Sequence, residues 1–352
     1  MDQKYTDSDE YQKEIADQYA ARVTHFPVSE VQMVLTKLGF DADPETVTEA
    51  VVGNVNATYL TPTLVVKMNK DTDSHDYIAN KLVSDRLGSK CPVVKVLAYD
   101  FFEKTDYEVL VMERSPGTLL LNDMLALPPA ELEALFARVV DVVQHFGAIT
   151  FDTFGPVSNQ DKAFGTYTEL LSSEFKTNVR TIRDLSLCEE ADIQLVEKYF
   201  AENVHIFNDE RPVLVHTDLH MGNILHDGGT LTAIIDFDSA ERAPLMRSLI
   251  SLLGLIDNPS QFVEGTKDFV AYKGKNFYHL LPILRRGLSE LFADPLLLKK
   301  LNVNGVAVGI MWIAGNWSAE WNKEMMFNLV TKELATSDAE LKNSYFGKII
   351  SS

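Results

Sequence analysis

Basic residues are scarce in this chain. Of 352 residues, 32 are Lys or Arg and 51 are Asp or Glu, a formal net charge of −19. Such a surface repels phosphate, which argues against non-specific nucleic-acid binding and against anionic membranes. It suits a cationic small substrate, although acidic surfaces also serve solubility alone. Cysteine is scarcer still: Cys91 and Cys188 form no CxxC pair, so neither a disulfide framework nor a structural zinc site is supported. The acidic, polar opening over residues 1–13 lacks the basic-then-apolar profile of a signal peptide. The most apolar late stretch, Gly305 to Ala314, is too short to span a bilayer. There is no internal repeat and no low-complexity linker. These absences leave a globular protein expected in a reducing cytoplasm, with no nucleic-acid or membrane partner.

What is present is enough apolar residue, 46%, and enough length for two lobes. Residues Ser8 to His25 read as a polar helix, an N-terminal appendage over 1–26. Pro27 to Gln32 reads as a helix start, with Ser29 as cap and Val31, Val34 and Leu35 as its apolar stripe. Val47–Val52, Tyr59-Leu60 and Thr63–Met68 read as an antiparallel meander around the Gly53 turn, with Lys67 ending an apolar run. An amphipathic helix over Asp76–Leu87 and strands at Val93–Ala98 and Glu108–Met112 complete an N-lobe over 27–115. From residue 116 to 352 the pattern is mainly helical. The strongest helix is Pro129–Phe146, and others are expected at Thr168–Leu185, Glu190–Phe207, Leu245–Ile256, Phe277–Phe292 and within Val306–Thr331. Met112–Gly117 would join the lobes, with a ligand cleft between them.

One stretch gathers the chemistry. In Val213–Ala240 two apolar runs, Val213–Val215 and Ala233–Ile235, each lead into carboxylates: Asp218 after the first, Asp236 and Asp238 after the second. Asn223 lies between them. Asn and Asp oxygens are hard ligands suited to Mg²⁺, which takes only one or two protein carboxylates and leaves other positions to water and phosphate. A further carboxylate, Asp218, is then available to orient a hydroxyl, and a strand-end lysine in the other lobe can hold phosphates. Taken singly, Asp218 and Asn223 read equally well as loop residues bonding local backbone, and Lys67 as a snorkelling lysine. The His216-x-Asp218-x-His220 spacing also admits a zinc or di-metal hydrolase, but the extra histidines such a site needs do not follow.

His216-Thr217-Asp218-Leu219-His220-Met221-Gly222-Asn223 resembles the HxDxxxxN catalytic loop of the aminoglycoside phosphotransferase and choline kinase superfamily, and Ile234-Ile235-Asp236-Phe237-Asp238 is similar to its metal-binding IDF segment. The resemblance runs through nearly all of the chain after Pro27. It implies an α+β, bilobal protein-kinase-like fold, with a small β-rich N-lobe, a larger helical C-lobe and a nucleotide cleft between. It implies ATP, or GTP, and Mg²⁺, and a small-molecule hydroxyl acceptor, with an aminoglycoside or amino sugar leading. Sugars, amino alcohols, homoserine-like compounds and macrolides are alternatives.

By the same resemblance Asp218 is the base or hydroxyl-positioning residue, Asn223 and Asp236 hold the metal, and Lys67 binds the α/β-phosphates. Gly53 and Asn54 occupy the nucleotide-covering turn. Met112 lies behind the base, with the backbone of Glu113 and Ser115 on its edge. His216 belongs to the catalytic loop as its organiser more than as a proton-transfer group, and His220 is read as a γ-phosphate contact. A protein kinase is disfavoured, because no Ala-Pro-Glu-like segment follows Asp236.

The chain departs from the pattern where a glutamate should follow the lysine strand. Between Asp71 and Leu87 there is none, and Asn80 or Lys81 stands near its place. Asp76 and Asp85 are the nearest substitutes; otherwise the nucleotide alone holds Lys67, as in a low-activity nucleotide-binding module. Asp238 reads equally as a supporting group or a solvated acid. Trp312, Trp317 and Trp321 read as helix packing, and Glu320, Glu324 and Asp338 as solvated acids.

Overall fold

The computed structural model describes residues 8–22, 24–50, 57–70, 76–88, 90–315, 319–335 and 337–352. The expected Gly53 turn, with Gly53 and Asn54, lies outside the described residues, as does Trp317. Two helices come first, α1 (Asp9–Arg22) and α2 (Val28–Lys37). A five-stranded antiparallel sheet follows, built from β1 (Thr48–Glu49), β2 (Ala57–Leu60), β3 (Leu64–Lys70), β4 (Val96–Phe102) and β5 (Tyr107–Glu113) in the order β1-β2-β3-β5-β4. Helix α3 (Ile78–Leu87) lies between β3 and β4 in the chain.

The period-2 alternation of a strand decides where Lys67 points. Leu64, Val66 and Met68 pack with Tyr59, Val109 and Val111 and with Val31, Val34 and Leu35 of α2. Val65 belongs instead to the opposite face, with Leu110, Met112, Val94, Val96 and Tyr77, so Lys67 shares that face and turns toward the cleft. Ser29 does not cap α2. The helix begins two residues earlier, at Val28, with Pro27 in the cap position and no side-chain cap bond.

The C-lobe opens with β6 (Thr118–Leu119), α4 (Leu120–Asp123) and α5 (Pro129–Gly147), whose Leu132, Leu135, Phe136, Val139, Val140 and Val143 are buried at helical spacing. It continues through β7 (Gly155–Pro156), α6 (Tyr167–Asp184), α7 (Glu190–Asn203), β8 (Val213–Val215), β9 (Ile224–Asp227), β10 (Thr230–Ile234), β11 (Glu241–Ala243) and α8 (Ser248–Asp257). The strands form two small sheets, β10-β9-β6 and β7-β11-β8. The end of the chain holds α9 (Phe269–Tyr272), α10 (Leu281–Gly287), α11 (Ser289–Phe292), α12 (Leu297–Ala314), α13 (Ala319–Asn328), α14 (Asp338–Asn343) and α15 (Tyr345–Ser351).

Three sequence expectations change here. The single helix expected over Phe277–Phe292 is broken at Leu288, whose backbone is non-helical; Gly287 lies so close to α5 that a Cβ would meet Val140 at 2.2 Å. The apolar run at Gly305–Ala314 extends back to Leu297. The resulting α12 is long and apolar enough by composition to cross a membrane, but 56% of it is buried inside the fold. The N-terminal helix is no free appendage. Tyr11 and Ile15 are buried, the Tyr11 hydroxyl donates to Glu264 Oε2 (2.9 Å), and Gly265 N–H donates to Gln12 Oε1 (2.7 Å). Among the described side chains of α1, Tyr11 and Ile15 are the buried apolar ones, one turn apart on the same face.

The lobes meet at Gly117. Its φ of +94° suits glycine alone, and a Cβ would stand 2.0 Å from the His226 carbonyl oxygen. That approach lets Thr118 pair with His226 and starts the β6-β9 ladder.

Candidate active site

Strand register brings the metal-type residues together. Ile224 of β9 pairs with Ile234 of β10, so Asn223, just before one strand, and Asp236, just after the other, emerge at the same end of the hairpin. Ile235 N–H donates to the Asn223 carbonyl (3.0 Å) and fixes the two segments side by side. The N-lobe is tied to the same place: Val94 N–H donates to Ile234 O (3.2 Å), and Ile234 N–H to Pro92 O (2.9 Å). Asp236 has φ +67°, a conformation that costs a non-glycine residue ~1–2 kcal/mol and that recurs at functional sites. Phe237 anchors the turn from below, fully buried edge-on against Phe146.

The loop after β8 is organised by His216. Its ring is fully buried; Nε2 lies 2.9 Å from Ile235 O, and Nδ1 accepts from Asp218 N–H (3.2 Å). This pattern needs a neutral ring with the proton on Nε2. Burial pulls the ring's pKa below the usual histidine value and favours that state. With both nitrogens engaged and the ring fully buried, His216 has no nitrogen for a metal, and its hydrogen bonds organise the loop. This also removes the zinc-type reading of the His-x-Asp-x-His spacing. Ser251 of α8 supports the loop from beneath, accepting from Leu219 N–H (3.3 Å) and donating to Thr217 O (3.2 Å).

Asp218 stands at the mouth of the cleft with 53% of its side chain exposed. The Asn223 amide donates to the Asp218 carbonyl (2.8 Å) and to its Oδ2 (3.2 Å), while Asn223 Oδ1 makes no hydrogen bond to the described residues. His220 folds back beside Asp218. Its Nδ1 accepts from Gly222 N–H (3.0 Å), its Nε2 lies 3.5 Å from Asp218 Oδ2, and its ring stacks on Phe262 at 4.6 Å. A side chain at 222 would meet the imidazole at 2.8 Å, so Gly222 permits this fold-back. The geometry gives His220 a place beside Asp218, which it supports from the loop.

Lys67 reaches across from β3. Its ammonium lies 2.7 Å from Asp236 Oδ1 and 2.9 Å from Asp238 Oδ2, beside the Tyr77 ring. Burial opposes a charge there, but Asp236 and then Asp238 outweigh it and hold the lysine above its usual range. For Asp236, burial pushes the carboxyl up, and Lys67 more than reverses this, to about 2. Asp238 is raised, first by burial and then by the Asp236 charge. One ammonium thus serves two carboxylates, a surplus of negative charge that a divalent cation would offset. Asn223 Oδ1 and Asp236 are oxygen donors of the kind Mg²⁺ takes. Among the described residues no group of three or more His, Cys, Asp or Glu is arranged around a metal, and Mg²⁺ does not require one.

Neither acid expected to replace the helix glutamate bonds Lys67. Asp85 pairs with Lys81 one turn away on α3 (2.6 Å), and Asp76 accepts from Ser158 (3.1 Å). The partner is Asp238, the acid that sequence reasoning left undecided. Only its two-residue offset from Asp236 hinted at it. Met112 is buried against Tyr77, Val94, Val96 and Leu110. Glu113 N–H is committed to Lys95 O (2.9 Å), leaving the carbonyl of Glu113 for a base edge, whereas Ser115 N–H makes no bond to the described residues.

A β-rich lobe carrying one inward lysine, hinged to a helical lobe whose catalytic loop and Asp-Phe-Asp turn face it, is the protein-kinase-like architecture of a phosphotransferase. The chain belongs to the phosphotransferase enzyme family (APH), whose model matches residues 52–274. Its fold is shared with aminoglycoside phosphotransferases of known structure. One is a thermostable mutant of APH(4)-Ia in ternary complex with ADP and hygromycin B (TM-score 0.60, 15% identity, covering 86% of this chain and 98% of that one). Another is the streptomycin–ATP–APH(2")-IIa ternary complex (0.63, 15%, 90% and 99%). A third is the gentamicin–APH(2")-IIa complex (0.61, 17%, 90% and 99%). No curated protein sequence matches.

Proposed function

We propose that this phosphotransferase moves the γ-phosphoryl group of ATP, with Mg²⁺, to a hydroxyl of an aminoglycoside or amino sugar. The observation that carries the reading is the convergence on one cleft of Asp218, Asn223 and Asp236, from three strand ends of the C-lobe, and Lys67, from strand β3 of the N-lobe. Lys67 would hold the α/β-phosphates. Asn223 and Asp236 would hold the metal, which when bound neutralises charge on the transferring group. Asp218, exposed and braced by Asn223 and His220, would accept the proton of the acceptor hydroxyl. That oxygen bonds to the γ-phosphorus as the bond to ADP breaks. The Glu113 carbonyl and Ser115 N–H would take the edge of the base over Met112, contacts that fit ATP and do not by themselves exclude GTP. The amine-bearing acceptor class is supported by the net charge of −19 and by the hygromycin B, streptomycin and gentamicin held by proteins of the same fold.

The test is ADP release with Mg²⁺ over a panel of aminoglycosides, amino sugars, neutral sugars and amino alcohols, with Asp218→Asn as control. Turnover with amine-bearing sugars, lost in Asp218→Asn, is expected. Turnover confined to neutral sugars or amino alcohols overturns the acceptor class. Equal silence of both proteins, with Mg·ATP still raising the unfolding midpoint, leaves a nucleotide-binding module instead.

A further inference from the structure

The lysine of β3 needs a fixed partner if it is to meet the phosphates in one geometry. Helix α3, which should supply the partner, has no glutamate, and its single carboxylate, Asp85, is spent on Lys81. What α3 offers is Asn80, 1% exposed and turned toward the cleft. The Asn80 amide uses both its ends. Its Oδ1 accepts from Phe237 N–H (3.0 Å), and its Nδ2 donates to Asp238 Oδ1 (2.5 Å). The other oxygen of Asp238 accepts from Lys67 at 2.9 Å. A glutamate at 80 could not donate to Asp238, and an asparagine at 238 could not neutralise Lys67. The two side chains are therefore matched, amide on the helix and carboxylate on the loop.

We propose that the carboxylate positioning Lys67 has moved in this chain from helix α3 to Asp238, and that Asn80 is the helix residue that holds Asp238 in place. The proposal rests on the reading of Lys67 as a phosphate-binding residue. It has a mechanical consequence. Lysine anchor and metal residue now sit on one three-residue turn, Asp236-Phe237-Asp238, and α3 grips that turn at two points. When a cation engages Asp236, Lys67 keeps Asp238. Displacement of α3 would loosen the lysine and the turn together.

The experiment measures the Kd of Mg·ATP by calorimetry for the wild type, Lys67→Met, Asp238→Asn, Asn80→Glu, and the double variants Lys67→Met/Asp238→Asn and Asn80→Glu/Asp238→Asn. Circular dichroism on each reports folding. Residues acting as a unit are non-additive, so Asp238→Asn should weaken binding ~10-fold alone but less than ~2-fold in the Lys67→Met background. Asn80→Glu, which sets two carboxylates against each other, should also weaken binding. Combining it with Asp238→Asn restores one carboxylate and one amide and should recover most of the affinity. Wild-type affinity in folded Asp238→Asn, additivity with Lys67→Met, or no recovery in the swap overturns the proposal. If Asp238→Asn does not fold, the swap decides alone: its folding and binding uphold the proposal, and its failure overturns it. A wild type that binds no Mg·ATP, or a Lys67→Met variant that binds it as well as the wild type does, refutes the functional reading beneath it and is separable from these outcomes.

Discussion

Replacing His216 with phenylalanine removes the hydrogen bonds that tie the Asp218 loop to the Asp236 turn. An aromatic ring is kept against Phe237, 4.7 Å away, although the six-membered ring is larger than imidazole. What disappears is the donor to Ile235 O and the acceptor for Asp218 N–H. Each buried group left without a partner costs ~1–3 kcal/mol, and because the Asp218 end is partly wet, the sum should be ~2–4 kcal/mol. That is ~30- to 700-fold in the unfolding equilibrium, at ~1.4 kcal/mol per factor of ten. Urea unfolding read by fluorescence measures it. Turnover should fall as well, because the two broken bonds hold the segments carrying Asp218 and Asp236.

Glutamine at 216 can present one donor and one acceptor and should recover part of both losses. The pH dependence supplies an independent sign. The folded His216 pKa lies below the unfolded value of 6.5. As pH falls the unfolded chain therefore takes up the proton first. The stability present above pH 6.5 is lost as pH falls from there toward the folded pKa, and this component should vanish in His216→Phe. A variant with the wild-type midpoint, the same acid-side slope and full turnover would refute the role assigned to His216.

Three further changes probe other joints. Gly222→Ala drives a Cβ to 2.8 Å from the His220 ring, so it should unseat the imidazole from Asp218 and lower kcat ~10-fold or more with Mg·ATP affinity retained; steady-state kinetics and calorimetry separate the two. Gly117→Ala meets the His226 carbonyl at 2.0 Å with φ +94°, and should destabilise the lobe junction by more than ~2 kcal/mol, seen as a lowered midpoint and faster amide exchange in β6 and β9. Ile15→Ala should cost ~2–4 kcal/mol if α1 is part of the C-lobe core, and an unchanged midpoint would return α1 to the status of an appendage.

The element types were legible where one face of an element is buried over several turns or alternations. Helix α5 shows this, because hydrophobic periodicity is a local property of the chain, whereas β3 and β5 are buried on both faces and read instead as short continuous apolar runs. Boundaries were legible less well. The break at Leu288 depends on how close α10 lies to Val140, and the burial of α1 depends on Glu264 and Gly265, more than 240 residues away. Contacts between segments so distant in the chain are not encoded by local periodicity.

At the site, the residue types and their order along Val213–Ala240 already pointed to a phosphotransferase, since Asp218, Asn223 and Asp236 are written in the chain itself. Tertiary structure decided which partner each group has. It turned His220 toward Asp218 through Gly222, and it locked both nitrogens of His216. It also joined Lys67 to Asp238, a residue 171 positions later. Pairing between side chains so far apart is set by the register of β3 in one lobe and the φ +67° turn at Asp236 in the other, and only the folded chain brings those two geometries together.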